Sequence, residues 1–310
     1  MANIAKIGGH MWVGVFTLIF LCFAVSSKAQ GITREDTKGG LPLVVENVLA
    51  RQGLTLLDFT ISYANQEREQ VAIGEPILVQ IGPTAFVEVP SSINVSERNG
   101  DSVIATLALR RGIAQRTELY ARTSALHNEV RGSSTAGPIR SSRTGFADAW
   151  FGMSYQFRED GTGPAMLGFA EVAVAEKLRV DTRALKSAVV GLTAYKALDP
   201  VVLSGSVAYR LNGSRLDGII RSNPGNVILV APSIGFAANE RVSLTGGFQW
   251  RRTGAGRSYL SSTAFSRTQT DLTLGAAYGF ERAGTLNLTI VANASGRSGA
   301  DLRLNWLHPF

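Results

Sequence analysis

The sequence predicts an all-β protein: a transmembrane antiparallel up-and-down β-barrel of about 12 strands, preceded by a short N-terminal amphipathic helix. Three observations predict it. Segments of roughly ten residues alternate apolar and polar side chains, and a period of two sends the two kinds to opposite faces of a strand. The connections between those segments alternate between short turns and longer loops, as in a barrel with a periplasmic and an outer end. The final segment carries Leu302, Leu304, Trp306, His308 and Phe310 on one parity and Arg303, Asn305, Leu307 and Pro309 on the other. A barrel's last strand needs one lipid face and one lumen face, and it closes against the first strand. Taken alone, that segment could also end a soluble β-sandwich, so the other two observations decide.

Composition agrees. Of 310 residues only 18% are charged, below the usual quarter. The formal net charge is +7, and of the 31 basic residues only Lys6, Lys28, Lys38, Lys177, Lys186 and Lys196 are lysine. No basic helix or aromatic-basic platform accompanies this charge, so nucleic acid is not an expected partner.

Residues 1–29 read as a signal peptide. Lys6 supplies the positive start, residues 11–25 are an apolar run too short for a comfortable span, and Ser27 and Ala29 sit at cleavage-site positions. Cys22, the only cysteine, lies in that run, so the processed chain is expected to lack thiol chemistry and disulfides. Residues 30–53 are a periplasmic lead and short helix. Leu41, Val44, Val45, Val48 and Leu49 recur at helical spacing over 41–52, with Pro42 suited to a first turn and Gly53 to a cap. A helix this short needs a packing partner, and a gate or plug docked in or beneath the barrel is one such place.

Residues 54–310 form the barrel. Strands are expected at 55–63, 102–113, 116–130, 146–157, 166–179, 186–197, 201–211, 227–237, 242–251, 270–280, 285–294 and 302–310. The longer connections are 66–100, 131–145, 212–226 and 252–269. The first bears Pro76, Pro83 and Pro90 and apolar pieces at 77–79 and 86–87, which marks it as a folded loop. On 146–157 the faces are Ala149, Phe151, Met153, Tyr155, Phe157 against Asp148, Trp150, Gly152, Ser154, Gln156, and 242–251 and 270–280 repeat the pattern. The inner residues there are small or polar, as a watery lumen wants. On 166–179 the parity of Phe169 and Glu171 is assigned inward. Aromatics gather near strand ends, where girdles sit.

The order of a lead ending in ARQG, then LTLLDFTISYANQER, the Pro-bearing insert, DSVIATLALRRGIAQRTELYARTSALHNEVR, ADAWFGMSYQF, ALDPVVLSGSVAYRLN, PSIGFAANERVSLTGGFQW and a Phe-terminated strand resembles a known group. It is similar to the outer-membrane barrels labelled "meta-pathway of phenol degradation" or "transporter", which include the exporter of the functional-amyloid (Fap) system. The resemblance implies a twelve-stranded barrel, a homotrimer, an N-terminal segment that plugs the pore, and passage of small aromatics. The amyloid exporter also has a long coiled-coil extension, whereas 30–53 is too short for heptads, which bears against amyloid secretion and coiled-coil trimerisation.

Catalytic chemistry finds little support. His127 and His308 remain after processing. Ser124 lies three residues before His127, on the opposite face of a strand, so the two do not form a dyad. No cofactor or metal site is expected, and no enzyme. The inward parities gather Arg110, Arg122, Arg210, Arg251 and Arg303 with Glu118, Asp148, Glu171 and Asp271. Such walls either set pore selectivity or brace the lumen by ion pairing, and the residues leave both readings open. A second set, Arg131, Arg140, Arg143, Arg215, Arg221, Arg252, Arg257 and Arg297, falls in the outer loops, suited to lipopolysaccharide phosphates or simply solvated.

The expected partners are therefore outer-membrane lipid, lipopolysaccharide, and the barrel assembly machinery through C-terminal Phe310. The expected role is a narrow outer-membrane channel for small solutes or an exported peptide. The alternative is a closed structural or adhesive barrel that works through its outer loops.

Overall fold

A strand with an apolar outer face still needs hydrogen-bond partners on both edges, and in lipid only closure supplies them. In the computed structural model the sheet closes. The structure describes residues 49–66, 70–73, 77–82, 85–89, 93–96, 100–134, 137–177, 182–183, 185–217, 220–258, 265–280, 284–295 and 299–310. Twelve strands make the barrel: β1 (Thr55–Gln66), β2 (Gly100–Ala114), β3 (Thr117–Ser134), β4 (Gly137–Arg158), β5 (Ala165–Lys177), β6 (Ser187–Leu198), β7 (Val201–Asn212), β8 (Val227–Ala237), β9 (Val242–Thr253), β10 (Arg267–Phe280), β11 (Gly284–Asn293) and β12 (Gly299–Pro309). Each pairs antiparallel with the next, and β12 returns to β1 with Leu57 opposite His308 and Ile61 opposite Leu304.

The side-chain alternation follows the pleat. Ile61, Leu107, Phe151, Val190 and Leu274 are exposed on the outer face, Leu274 by 65%. A belt of this kind running round the whole barrel far exceeds the apolar patch that a soluble protein tolerates, and lipid is the solvent that suits it. Edge-on aromatic pairs mark one rim: Tyr155 with Phe157 at 5.1 Å, Tyr278 with Phe280 at 4.9 Å, and His308 with Phe310 at 5.0 Å. This rim carries the short turns and Phe310, which makes it the periplasmic end.

Two loops differ from expectation. Residues 131–145 are mostly strand: β3 and β4 run on as a ribbon, with Arg131 opposite Arg140 and Ser134 opposite Gly137. Polar residues on both faces conceal such a strand from a search for apolar alternation. The 66–100 connection contains two ladders, Gln70–Ile73 with Ile93–Ser96 and Ile77–Gln80 with Phe86–Val89. On the same side, Arg215–Asp217, Ile220–Asn223 and Arg257–Ser258 form a small sheet. The β8–β9 ladder also lapses between the Val230–Trp250 and Ser233–Gly247 pairs, where Pro232 has no N–H to give.

The expected helix is corrected at its end. None of the described residues is helical, and 49–52 enter the barrel without a helical turn; Gln52 instead forms a parallel bridge with Gly112. Leu41, Val44, Val45 and Val48, like the leader at 1–29, lie outside the described residues.

Candidate functional site

The lumen wall has two halves. On β5 to β8 the inward side chains are largely apolar: Leu167, Phe169, Val189, Tyr195, Val202 and Leu229 are all buried. From β9 round to β1 they are mostly polar or charged, among them Thr273, Asn287, Thr289, Asn305, Asp58, Thr60, Arg251 and Arg303. Asn305 donates to Asp58 and, at 2.8 Å, to Thr60. The small or polar inner pattern read on 146–157, 242–251 and 270–280 thus does not extend to β5 to β8, where Phe169 faces inward as its parity predicts. Strong β-branched and aromatic character on both parities there signals a strand buried on both sides, one by lipid and the other by protein.

What covers the apolar half is the insert. The hairpin of Ile77–Gln80 and Phe86–Val89 lies inside the barrel. Val79, Val87 and Val89 share one hairpin face and join the cluster of Trp150, Leu167, Phe169, Val189 and Leu229. Leu78 and Phe86 lie on the other face and meet Ala277, Leu307 and Leu56 near the periplasmic ends of their strands. The insert therefore starts at the outer end of β1 and reaches almost through the barrel. Ser206 Oγ donates to Glu88 O at 3.2 Å and Arg110 Nη1 to Leu78 O at 3.2 Å. Against the polar wall, beside Phe86, Glu88, Asn287 and Thr289, lies a cavity of about 10 Å³, roughly one water.

The structure places all nine of the inward charges, Arg110, Glu118, Arg122, Asp148, Glu171, Arg210, Arg251, Asp271 and Arg303, buried on the inner face. It brings most of them together in pairs. Arg110 grips Glu118 with two bonds, Nε to Oε1 at 2.9 Å and Nη2 to Oε2 at 3.0 Å. Arg122 meets Glu171 at 3.2 Å, and Tyr120 donates to the same carboxylate at 2.9 Å. Arg251 meets Asp271 at 3.2 Å, and Arg303 lies 3.8 Å from Asp301. Charges this deep are tolerable only when paired, which is why neighbours of opposite sign recur.

Two residues gain roles that sequence reasoning missed. Glu176 pairs with Arg210 at 2.6 Å. It faces inward because β5 carries an extra residue opposite the Ala149–Trp150 step, which inverts the parity counted from Glu171. Trp150, 1% exposed, has the guanidiniums of both Arg122 and Arg210 over its ring, each 5.1 Å from the ring centre. The indole joins two ion pairs into one assembly. Elsewhere, Ser124 bonds Thr106 in the lumen at 3.1 Å while His127 bonds Thr144 outside at 2.6 Å, so the two stay on opposite faces. Arg143 and Arg252 are exposed at outer strand ends. Arg297 lies outside the described residues.

Residues 49–54 dock at the other end. Leu49 is buried in the same apolar cluster as the hairpin valines. Ala50 N–H donates to Glu118 Oε2 at 2.8 Å, and Gly53 N–H to Gly112 O at 2.8 Å. Gly112 permits this approach: a Cβ there would lie 2.1 Å from Ala50 O and 2.2 Å from Arg51 O.

No protein-family model and no curated protein matches the chain. Solved structures do. An outer-membrane channel from Pseudomonas putida F1 aligns with a TM-score of 0.59 at 12% identity, over 84% of this chain and 96% of that one. A FadL homologue from Pseudomonas aeruginosa aligns at 0.43 and 9% identity, over 82% and 90% of the two chains. The monoaromatic hydrocarbon channel CymD aligns at 0.41 and 10%, over 83% and 88%. The resemblance to outer-membrane transporter barrels thus holds at the level of fold. With that fold and its lipid-facing belt, the chain is a twelve-stranded β-barrel of the bacterial outer membrane.

Proposed function

We propose that the protein is an outer-membrane channel for small, largely apolar solutes, closed at rest by the Ile77–Val89 hairpin. The observation that carries this reading is the apolar half-wall of β5 to β8 with a matching apolar hairpin laid against it. Fully burying one Val, Leu, Ile or Phe side chain is worth about 1.5–3 kcal/mol, so withdrawing Leu78, Val79, Ile81, Phe86, Val87 and Val89 into water would cost on the order of 10 kcal/mol. Spontaneous withdrawal on that scale is too rare to support transport. A solute that takes over the vacated apolar contacts offsets much of the cost; a sugar does not. The wall therefore selects for apolar cargo through the work of moving the hairpin. The fold itself is one that a Pseudomonas putida outer-membrane channel also uses.

The competing reading is a closed structural or adhesive barrel, favoured by the hairpin that packs inside the barrel against the apolar wall. One experiment separates the two. Residues 70–96 are replaced by a short Gly-Ser turn, and the protein is compared with the wild type in planar bilayers and in vesicles offered a small aromatic or a sugar. The channel reading expects a marked rise in conductance on removing the insert, and aromatic-over-sugar preference in the wild type. A hairpin-free barrel that conducts no better than the intact one would leave the closed-barrel reading standing.

A further inference from the structure

Two separate pieces of chain close this lumen, and both end on the same ion pair. The hairpin offers a carbonyl, Leu78 O, to Arg110 Nη1 at 3.2 Å. The lead offers an amide, Ala50 N–H, to Glu118 Oε2 at 2.8 Å. Between them Arg110 and Glu118 are joined by two parallel bonds across the β2–β3 turn region, and neither is more than 1% exposed. We infer that Arg110 and Glu118 are positioning residues that couple the two stoppers, so that freeing the lead from Glu118 loosens the hairpin's hold on Arg110. This rests on the channel reading for its meaning, though not for its test.

The physical reason is that a dry bidentate pair is held in place by its surroundings. Glu118 Oε2 accepts from both Arg110 Nη2 and Ala50 N–H. When the lead's amide departs, the carboxylate loses a charge-assisted bond and its desolvated oxygen seeks another donor. The donor at hand is the guanidinium, which then turns toward Glu118 and away from Leu78 O. In the other direction, a hairpin that leaves takes an acceptor from Arg110 and admits water to the pair, which weakens the field that orients Ala50. Once the two contacts are coupled, linkage makes the effect equal in both directions. Gly112 gives a second tie at the same place, since the lead's carbonyls rest where a side chain would otherwise stand.

The test uses the full-length chain with Ala85→Cys, at the buried end of the hairpin, as a reporter. A membrane-impermeant maleimide is added from outside, and labelling rate is read for three backgrounds: wild type, Ala50→Pro and Glu118→Gln. Proline removes the amide hydrogen and leaves the ion pair's side chains untouched. Heat-modifiable migration on gels confirms that each barrel is folded. The expected result is labelling that rises about tenfold or more in Ala50→Pro, in line with the loss of one hydrogen bond to a charged group, and at least as much in Glu118→Gln. Wild-type labelling rates in Ala50→Pro, with Glu118→Gln alone raised, would sink the coupling and leave two independent stoppers. The bilayer comparison of the insert-deleted barrel reports separately on the channel. If that barrel stays silent while Ala50→Pro still raises labelling, the coupling stands and the channel reading falls.

Discussion

Replacing Gly112 with alanine tests the lumen's periplasmic closure most directly. The new Cβ would stand 2.1 Å from Ala50 O and 2.2 Å from Arg51 O, well inside the 3.0 Å that real Cβ atoms essentially never cross, and both obstacles are backbone. Gly112 does not have a positive φ, so its backbone accepts alanine and the lead is what must move. Moving it gives up Gly53 N–H to Gly112 O, Gly112 N–H to Leu54 O, and Ala50 N–H to Glu118. At about 1 kcal/mol net for each backbone bond and about 2 kcal/mol for the bond to a charge, the docked lead loses about 4 kcal/mol. That is roughly a thousandfold in the docking equilibrium. The assay is limited proteolysis of the folded barrel from the periplasmic face, followed by bilayer conductance. Gly112→Ala should expose 49–54 to cleavage while the barrel remains resistant, and should raise conductance less than removal of the insert does. Protection equal to wild type would refute the reasoning, because no rearrangement smaller than undocking relieves a clash between two backbones.

Three further outcomes follow from the same geometry. Leu274→Arg, on the outer face, should cost about 2–4 kcal/mol in urea unfolding from lipid vesicles if that face meets the hydrocarbon midplane; an unchanged midpoint would mean it does not. Trp150→Ala should lower unfolding stability by about 3–5 kcal/mol, since it opens a cavity and separates two guanidiniums from a shared ring; a loss below 1 kcal/mol would show the indole to be dispensable. Arg122→Leu alone should cost about 3–5 kcal/mol by stranding the Glu171 charge, and Arg122→Leu with Glu171→Leu should recover most of it; a double variant weaker than the single would speak against bracing.

The charged lumen shows where reading a sequence works and where it stops. Arg110, Glu118, Arg122 and Glu171 were legible as inward residues because each shares a parity with its strand's polar side. Their partnerships were not. Arg122 and Glu171 lie 49 residues apart, and the strand between them, β4, sets how they meet. Glu176 was missed because a single extra residue in β5 turns it inward, and that residue leaves no mark in composition. The N-terminal helix was drawn from spacing and from the flanking Pro42 and Gly53, and at 49–52 a bridge to Gly112 and a bond donated to Glu118 outweigh helical propensity.

By itself the sequence determined the architecture. A strand between lipid and lumen alternates except at a bulge, so strand number and most of the facing were written in Ile61, Leu107, Phe151, Leu304 and their polar neighbours. Tertiary structure decided what occupies the interior. The apolar pieces around Val79 and Val87 could have packed on any greasy surface, and only closure of the sheet sets Leu167, Phe169, Val189 and Leu229 side by side to receive them. Hydrophobic attraction has no direction of its own; the barrel supplies it by leaving the hairpin one dry wall to lean on.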